Sequence, residues 1–176
     1  MASSVKVAAK AGRAVQPKPS LTDLQRFVEH EVRLLDEQRF EEWLDLFADD
    51  GIYWVPAKAG QESPRNHVSL FYDDKPTLKI RIQRLRHPAI HSQNPRSQTV
   101  RLVSNFRLER PAQDPSLYLV LSKFIMFEDR PDHERRLFAG HYSHTLRATS
   151  DSFEIALKRV DLTNCDQTFS ALTQPF

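Results

Sequence analysis

Leu117-Tyr-Leu-Val-Leu-Ser-Lys-Phe-Ile-Met-Phe127 is apolar at every position except Ser122 and Lys123. Apolar residues on both parities of an extended run predict a strand buried on both faces. Three more long extended segments flank it. Val100 to Arg110 alternates on Val100, Leu102, Phe106 and Leu108, while Leu137 to Thr149 and Phe153 to Thr163 are set off by turns at Arg130-Pro-Asp132 and Ser150-Asp-Ser152. Four such segments with no helix between them predict an antiparallel meander.

Upstream the periodicity changes. Ser20-Leu-Thr-Asp23 is a capping box, and Leu21, Leu24, Val28, Val32 and Leu35 recur at helical spacing, so a helix is predicted over 21–37. Phe40, Trp43, Leu44 and Phe47 predict a second helix ended by Asp49-Asp50-Gly51. Ile52 to Val55, stopped by Pro56, reads as a short strand, and 57–70 as a loop. Asp74 as N-cap, Pro76 in the first turn and His87-Pro88 at the end predict a third helix, followed by a loop over 88–98. Ile80 points off that helix's apolar stripe, between Arg81 and Arg84, either as an exposed isoleucine or as a subunit contact. Helices first and a meander afterwards give an α+β class, a mostly antiparallel sheet curved strongly around the helices into a cone. Residues 20–176 are read as one domain. Residues 1–19 are read as a disordered basic tail, because Lys6, Lys10, Arg13 and Lys18 stand there without an acid.

At 176 residues with 40% hydrophobic content the chain has enough material for one buried core. The net charge is +2 and four cations sit in the tail, so the body is slightly acidic and no nucleic-acid partner is expected. Cys165 is the only cysteine, which forbids an internal disulfide and a thiolate-based zinc or iron–sulfur site, and a cytoplasmic location is expected. Gly12, Gly51, Gly60 and Gly140 are too far apart for a dinucleotide or phosphate loop. No run approaches the roughly 18 apolar residues of a bilayer span, so no membrane partner is expected.

Candidate chemistry is sparse. His141 and His144 would fall on opposite faces of a strand, and Pro88 breaks the helix that His87 and His91 would need to share a metal. Asp49-Asp50 and Asp73-Asp74 lie beside expected helix ends, where acids cap amides. Asp161 shares the parity of Phe153, Ile155 and Leu157; if that face is interior, its carboxyl is a candidate base, although Arg159 on the same parity makes a structural ion pair the stronger expectation. Cys165 reads as a buried or idle thiol.

Five strings then carry a resemblance: Leu35-Asp-Glu-Gln-Arg-Phe-Glu-Glu-Trp-Leu-Asp-Leu-Phe47, Tyr53-Trp-Val-Pro56, Ser69-Leu-Phe-Tyr-Asp-Asp74, Pro95-Arg-Ser-Gln-Thr-Val-Arg-Leu-Val-Ser-Asn105 and Leu137-Phe-Ala-Gly140. In this order they resemble the small (β) subunit of aromatic-ring-hydroxylating dioxygenases, over about residues 20–176. The resemblance implies the cone-shaped fold of nuclear transport factor 2 (NTF2) and ketosteroid isomerase. It also implies an α3β3 hexamer with β self-association as a trimer. The large (α) subunit would carry the Rieske [2Fe-2S] cluster, the mononuclear Fe(II) and the substrate pocket, with electrons from NADH through a reductase. This chain would hold no cofactor, metal or catalytic residue. Asp74, Ser97, Thr99, Arg101, Ser104 and Asn105 match recurring family positions, and with Ile80 and Arg81 they are candidate interface or architectural residues. Ala139-Gly-His-Tyr142 and Phe153 depart from the pattern of many relatives. A loose likeness to benzoate-type members implies an aromatic acid as substrate. The rival readings are a stand-alone isomerase or dehydratase of the same fold, with Asp161 or His91 as the acid/base in the cone, and a homomeric binding module.

Overall fold

The structure is a computed structural model that describes residues 18–87, 95–109, 114, 116–169 and 171–176. The expected disordered tail, apart from Lys18 and Pro19, lies outside the described residues, as does His91. Helix α1 (Leu21–Asp36) begins at the expected capping box, with Asp23 N donating to Ser20 Oγ at 3.2 Å and Ser20 N to Asp23 Oδ2 at 2.9 Å. Its buried stripe, Leu24, Phe27, Val28, Val32, Leu34 and Leu35, is broken by one ionisable residue, Glu31.

Helix α2 (Phe40–Asp45) is shorter than expected, because Phe47 starts strand β1 (Phe47–Pro56). Asp49-Asp50-Gly51 is therefore no helix stop but a stretch of that strand. Gly51 is needed there, since a Cβ would come within 2.6 Å of Ile155 O. Asp49 and Asp50 cap nothing. They reach Lys75 at 3.3 Å and Arg147 at 3.1 Å. A further correction concerns the loop expected over 57–70: its end belongs to strand β2 (Ser69–Asp74), antiparallel to β1. Helix α3 (Lys75–Arg86) starts as expected on Asp74, whose Oδ1 accepts from Thr77 N at 2.9 Å, and Ile80 is 52% exposed.

Strands β3 (Gln98–Glu109), β4 (Leu117–Asp129), β5 (Arg136–Ala148) and β6 (Phe153–Leu162) form the meander. The sheet order is β2-β1-β6-β5-β4-β3, antiparallel throughout except that β1 runs parallel to β6. The helices line the inner face, α1 against β3 and α3 against β1 and β2.

Two bulges set which side chains face inward. Between Ser104 and Arg107 the β3–β4 register slips, and Asn105 takes φ 57, a left-handed conformation that Asn tolerates better than most residues. In β6, Thr145 faces Leu157 while Leu146 faces Ile155, leaving Ala156 unpaired. The parity of β6 therefore flips: Ile155 is buried, and after the bulge Lys158, Val160 and Leu162 point inward. This overturns the alternation that put Asp161 on the face of Ile155. Strand β4 is also corrected. Tyr118, Val120, Phe124 and Met126 are buried on one face, but Ile125 and Phe127 on the other are 49% and 40% exposed.

Candidate functional site

If the cone held chemistry, it would be among its inward-facing polar groups. Glu31 from α1, Trp43 from α2, His144 and Tyr142 from β5 and Lys158 from β6 converge there, all fully buried. Glu31 Oε1 accepts from Lys158 Nζ at 2.6 Å and from Trp43 Nε1 at 2.5 Å. His144 Nε2 lies 3.5 Å from Glu31 Oε2, too long for a good hydrogen bond. Burial alone would push the Glu31 carboxyl up, but the Lys158 ammonium and then His144 override it and hold the carboxyl well below its usual range. Burial pulls both the Lys158 ammonium and the His144 imidazole below their usual values, against the pull of Glu31. The pair is thus a charge-neutral unit, with the imidazole favoured neutral beside it.

Around this unit the interior is filled with rings. Phe47, Trp43, Tyr53, Phe71, Phe176 and Phe138 form an unbroken series of ring contacts with centroids 5.1, 5.7, 6.0, 6.4 and 5.0 Å apart. Phe124 stacks on Tyr142 at 4.0 Å. Glu31, Trp43, Tyr142, His144 and Lys158 are all buried within this packing. What Glu31 and Lys158 do is tie the first helix to the last strand.

The resemblance-derived residues gather in two places. The first joins α1 to β3. Asp36 accepts from Arg101 N at 2.8 Å and Thr99 Oγ1 at 3.0 Å, and forms a salt bridge with Arg101 Nη1. Arg101 Nη2 donates to Pro175 O, and the Ser97 carbonyl accepts from Gln38 Nε2 at 2.7 Å. The second joins β2 to α3: Arg81 grips buried Asp73 through Nε at 2.7 Å and Nη2 at 3.0 Å, and its guanidinium lies 4.4 Å above the Phe71 ring. Asp74 caps α3, Ser104 borders the β3 bulge and Asn105 lies within it. Ile80 stands apart on the outer side of α3.

The rival base falls elsewhere. Asp161 is on the outer face, held by Arg159 through contacts of 2.7 Å and 2.7 Å, the expected structural ion pair. His141 is exposed and His144 buried, so the two do face opposite ways. Cys165 is buried. Among the described residues no group of three or more His, Cys, Asp or Glu is placed to hold a metal ion.

The outer sheet face carries a different signal. Val100, Phe127 and Leu137 align across β3, β4 and β5, and Leu102, Ile125 and Ala139 form the adjacent row. Leu102 is 69% and Leu137 67% exposed. A contiguous apolar area of this kind on a folded chain marks a contact surface. Sequence reading missed it, along with Glu31, Lys158 and Asp36. The available signals were an acid within the α1 apolar stripe and the two-faced apolarity of β4.

A family model described as ring hydroxylating beta subunit matches residues 30–167. The chain is 32% identical over 159 residues to the benzene 1,2-dioxygenase subunit beta of Pseudomonas putida, covering 82% of this chain and 84% of that one. It is 29% identical over 153 residues to the biphenyl 2,3-dioxygenase subunit beta of Rhodococcus jostii, covering 81% of each. The solved beta subunit of benzoate 1,2-dioxygenase from Burkholderia mallei has the same fold, with a TM-score of 0.71, 23% identity and coverage of 85% and 94%.

Proposed function

The chain belongs to the ring hydroxylating beta subunit family, and from that premise we propose that it braces a large Rieske oxygenase subunit in an α3β3 assembly. It is an NTF2-like α+β beta subunit of an aromatic-ring-hydroxylating dioxygenase, and catalysis resides in the alpha subunit. The single observation that carries the bracing role is the sealed interior: its charges are matched to each other and its volume is filled by aromatic rings.

The residues present do not fit the iron centres. A Rieske cluster takes two cysteines and two histidines, and Cys165 is alone. We place the cluster and the mononuclear iron in the large subunit, with NADH feeding electrons through a reductase in the cytoplasm, as the family resemblance implies. The apolar rows at Val100 and Leu102 and the outer side of α3 around Ile80 are the proposed assembly surfaces, the α3 surface flanked by Lys79 and Arg84. Ser97, Thr99, Arg101, Asn105 and Arg81 hold the body rigid beneath them. An aromatic acid is the proposed substrate class, resting on the benzoate-type likeness. No helix of the described residues is long and apolar enough to cross a membrane.

Co-expression with the large subunit and a reductase tests the reading. The expected result is a stable complex that oxygenates an aromatic acid, with no turnover by this chain alone. A large subunit that is stable and fully active without this chain would contradict it.

A further inference from the structure

We propose that the interior wall formed by Tyr53, Phe71 and Phe138 is an aromatic-binding site which the chain fills with its own Phe176, and which accepts a monocyclic aromatic hydrocarbon when that ring is removed. The segment Leu172-Thr-Gln-Pro-Phe176 has no helix or strand, yet Gln174, Pro175 and Phe176 are all buried. It is held as a docked peptide is held. One peptide group is gripped from both sides, its Pro175 carbonyl accepting from Arg101 Nη2 and its Phe176 N–H donating to Tyr53 Oη at 2.9 Å. The adjoining ring is 1% exposed and meets Phe138 edge-on at 5.0 Å and 72°, with Phe71 at 6.4 Å.

The walls stand without the occupant. Tyr53 comes from β1, Phe71 from β2 and Phe138 from β5, elements fixed by the sheet. Phe71 is backed by the Arg81 guanidinium at 4.4 Å, itself clamped by Asp73, and Phe138 by Arg136 at 5.5 Å. Walls supported in this way resist collapse, and an apolar void of roughly ring size stays dry and takes up a small aromatic molecule. In the native chain the tethered ring competes at the high effective concentration of an intramolecular ligand, so a free aromatic is excluded.

The test uses the full chain with Phe176→Ala and toluene as probe. The expected result is a melting temperature lowered by about 10 °C, a saturable recovery of part of that loss on adding toluene, and no response of the unsubstituted chain. Phe176→Leu, which refills most of the volume, is expected to respond little. A Phe176→Ala chain with native near-UV circular dichroism and no saturable response overturns the proposal, as does an equal response of the unsubstituted chain. If Phe176→Ala does not fold alone, refolding it with toluene decides: recovery of the native signal supports the site, and no recovery overturns it. None of these outcomes depends on assembly with a large subunit.

Discussion

Glu31 and Lys158, separated by 127 positions in sequence, meet at 2.6 Å with neither side chain exposed. Removing either partner strands a buried charge, whereas neutralising both leaves Trp43 an acceptor and little to desolvate. Lys158→Met is expected to cost about 3 to 5 kcal/mol, and the Glu31→Gln/Lys158→Met double variant less than that single change. Urea midpoints of the variants, taken as a double-mutant cycle, measure the difference.

Acid should unfold the chain in two overlapping stages. Burial, more than the opposing Glu31, holds the His144 imidazole below its usual 6.5, so the unfolded chain takes up that proton first and stability falls as pH drops through 6.5. Burial pushes the Glu31 carboxyl up, but Lys158 and His144 together outweigh it and hold the group below its usual 4.5, so a second loss follows as pH falls through 4.5. Both contributions are fully present above those values. Melting temperature against pH should show this, and His144→Phe should abolish the first stage and weaken the second, because His144 helps hold the Glu31 carboxyl down. A flat profile between pH 7 and 5 in the unsubstituted chain would contradict the neutral, buried imidazole.

Arg101 ties β3 to α1 and to the C-terminal segment through one guanidinium, binding Asp36 and Pro175 as well as Thr99 of its own strand. Lysine cannot reproduce that fork. Arg101→Lys is expected to cost about 2 to 4 kcal/mol and to free the segment 171–176, which limited proteolysis would cut first. Unchanged cleavage would show that Arg101 does not secure the segment.

Leu102 and Leu137 lie on the exposed rows of the sheet, so lysine there should change stability by no more than about 0.5 kcal/mol. Co-purification with the large subunit, or self-association, should nonetheless drop at least tenfold. Undiminished assembly by Leu102→Lys/Leu137→Lys, read by size-exclusion chromatography, would move the interface elsewhere.

Local signals were read well from sequence, because their causes are local. Ser20 with Asp23 and Asp74 with Pro76 mark helix starts through bonds within three residues, and the four long strands announce themselves by length, apolar alternation and the turns between them. What failed was set by pairing. The unpaired Ala156 moves Lys158 inward and Asp161 outward, and nothing in the β6 sequence marks that slip. Strand β2 went unread because its inner residue Asp73 is polar, and only Arg81, eight positions on, makes its burial tolerable. The resemblance singled out Asn105 and Arg101 as interface or architectural candidates without a physical reason, and the left-handed bulge at Asn105 and the contacts of Arg101 are visible only with β4 and residue 175 in place.

The parallel contact of β1 with β6 sets a condition on biosynthesis. β1 pairs at once with β2 on one side, but its other edge cannot be covered until the ribosome has released the chain beyond Leu162, so a nascent or prematurely ended polypeptide keeps that β1 edge open. An open strand edge is a template for pairing with another chain, so incomplete copies are expected to aggregate more readily than finished ones.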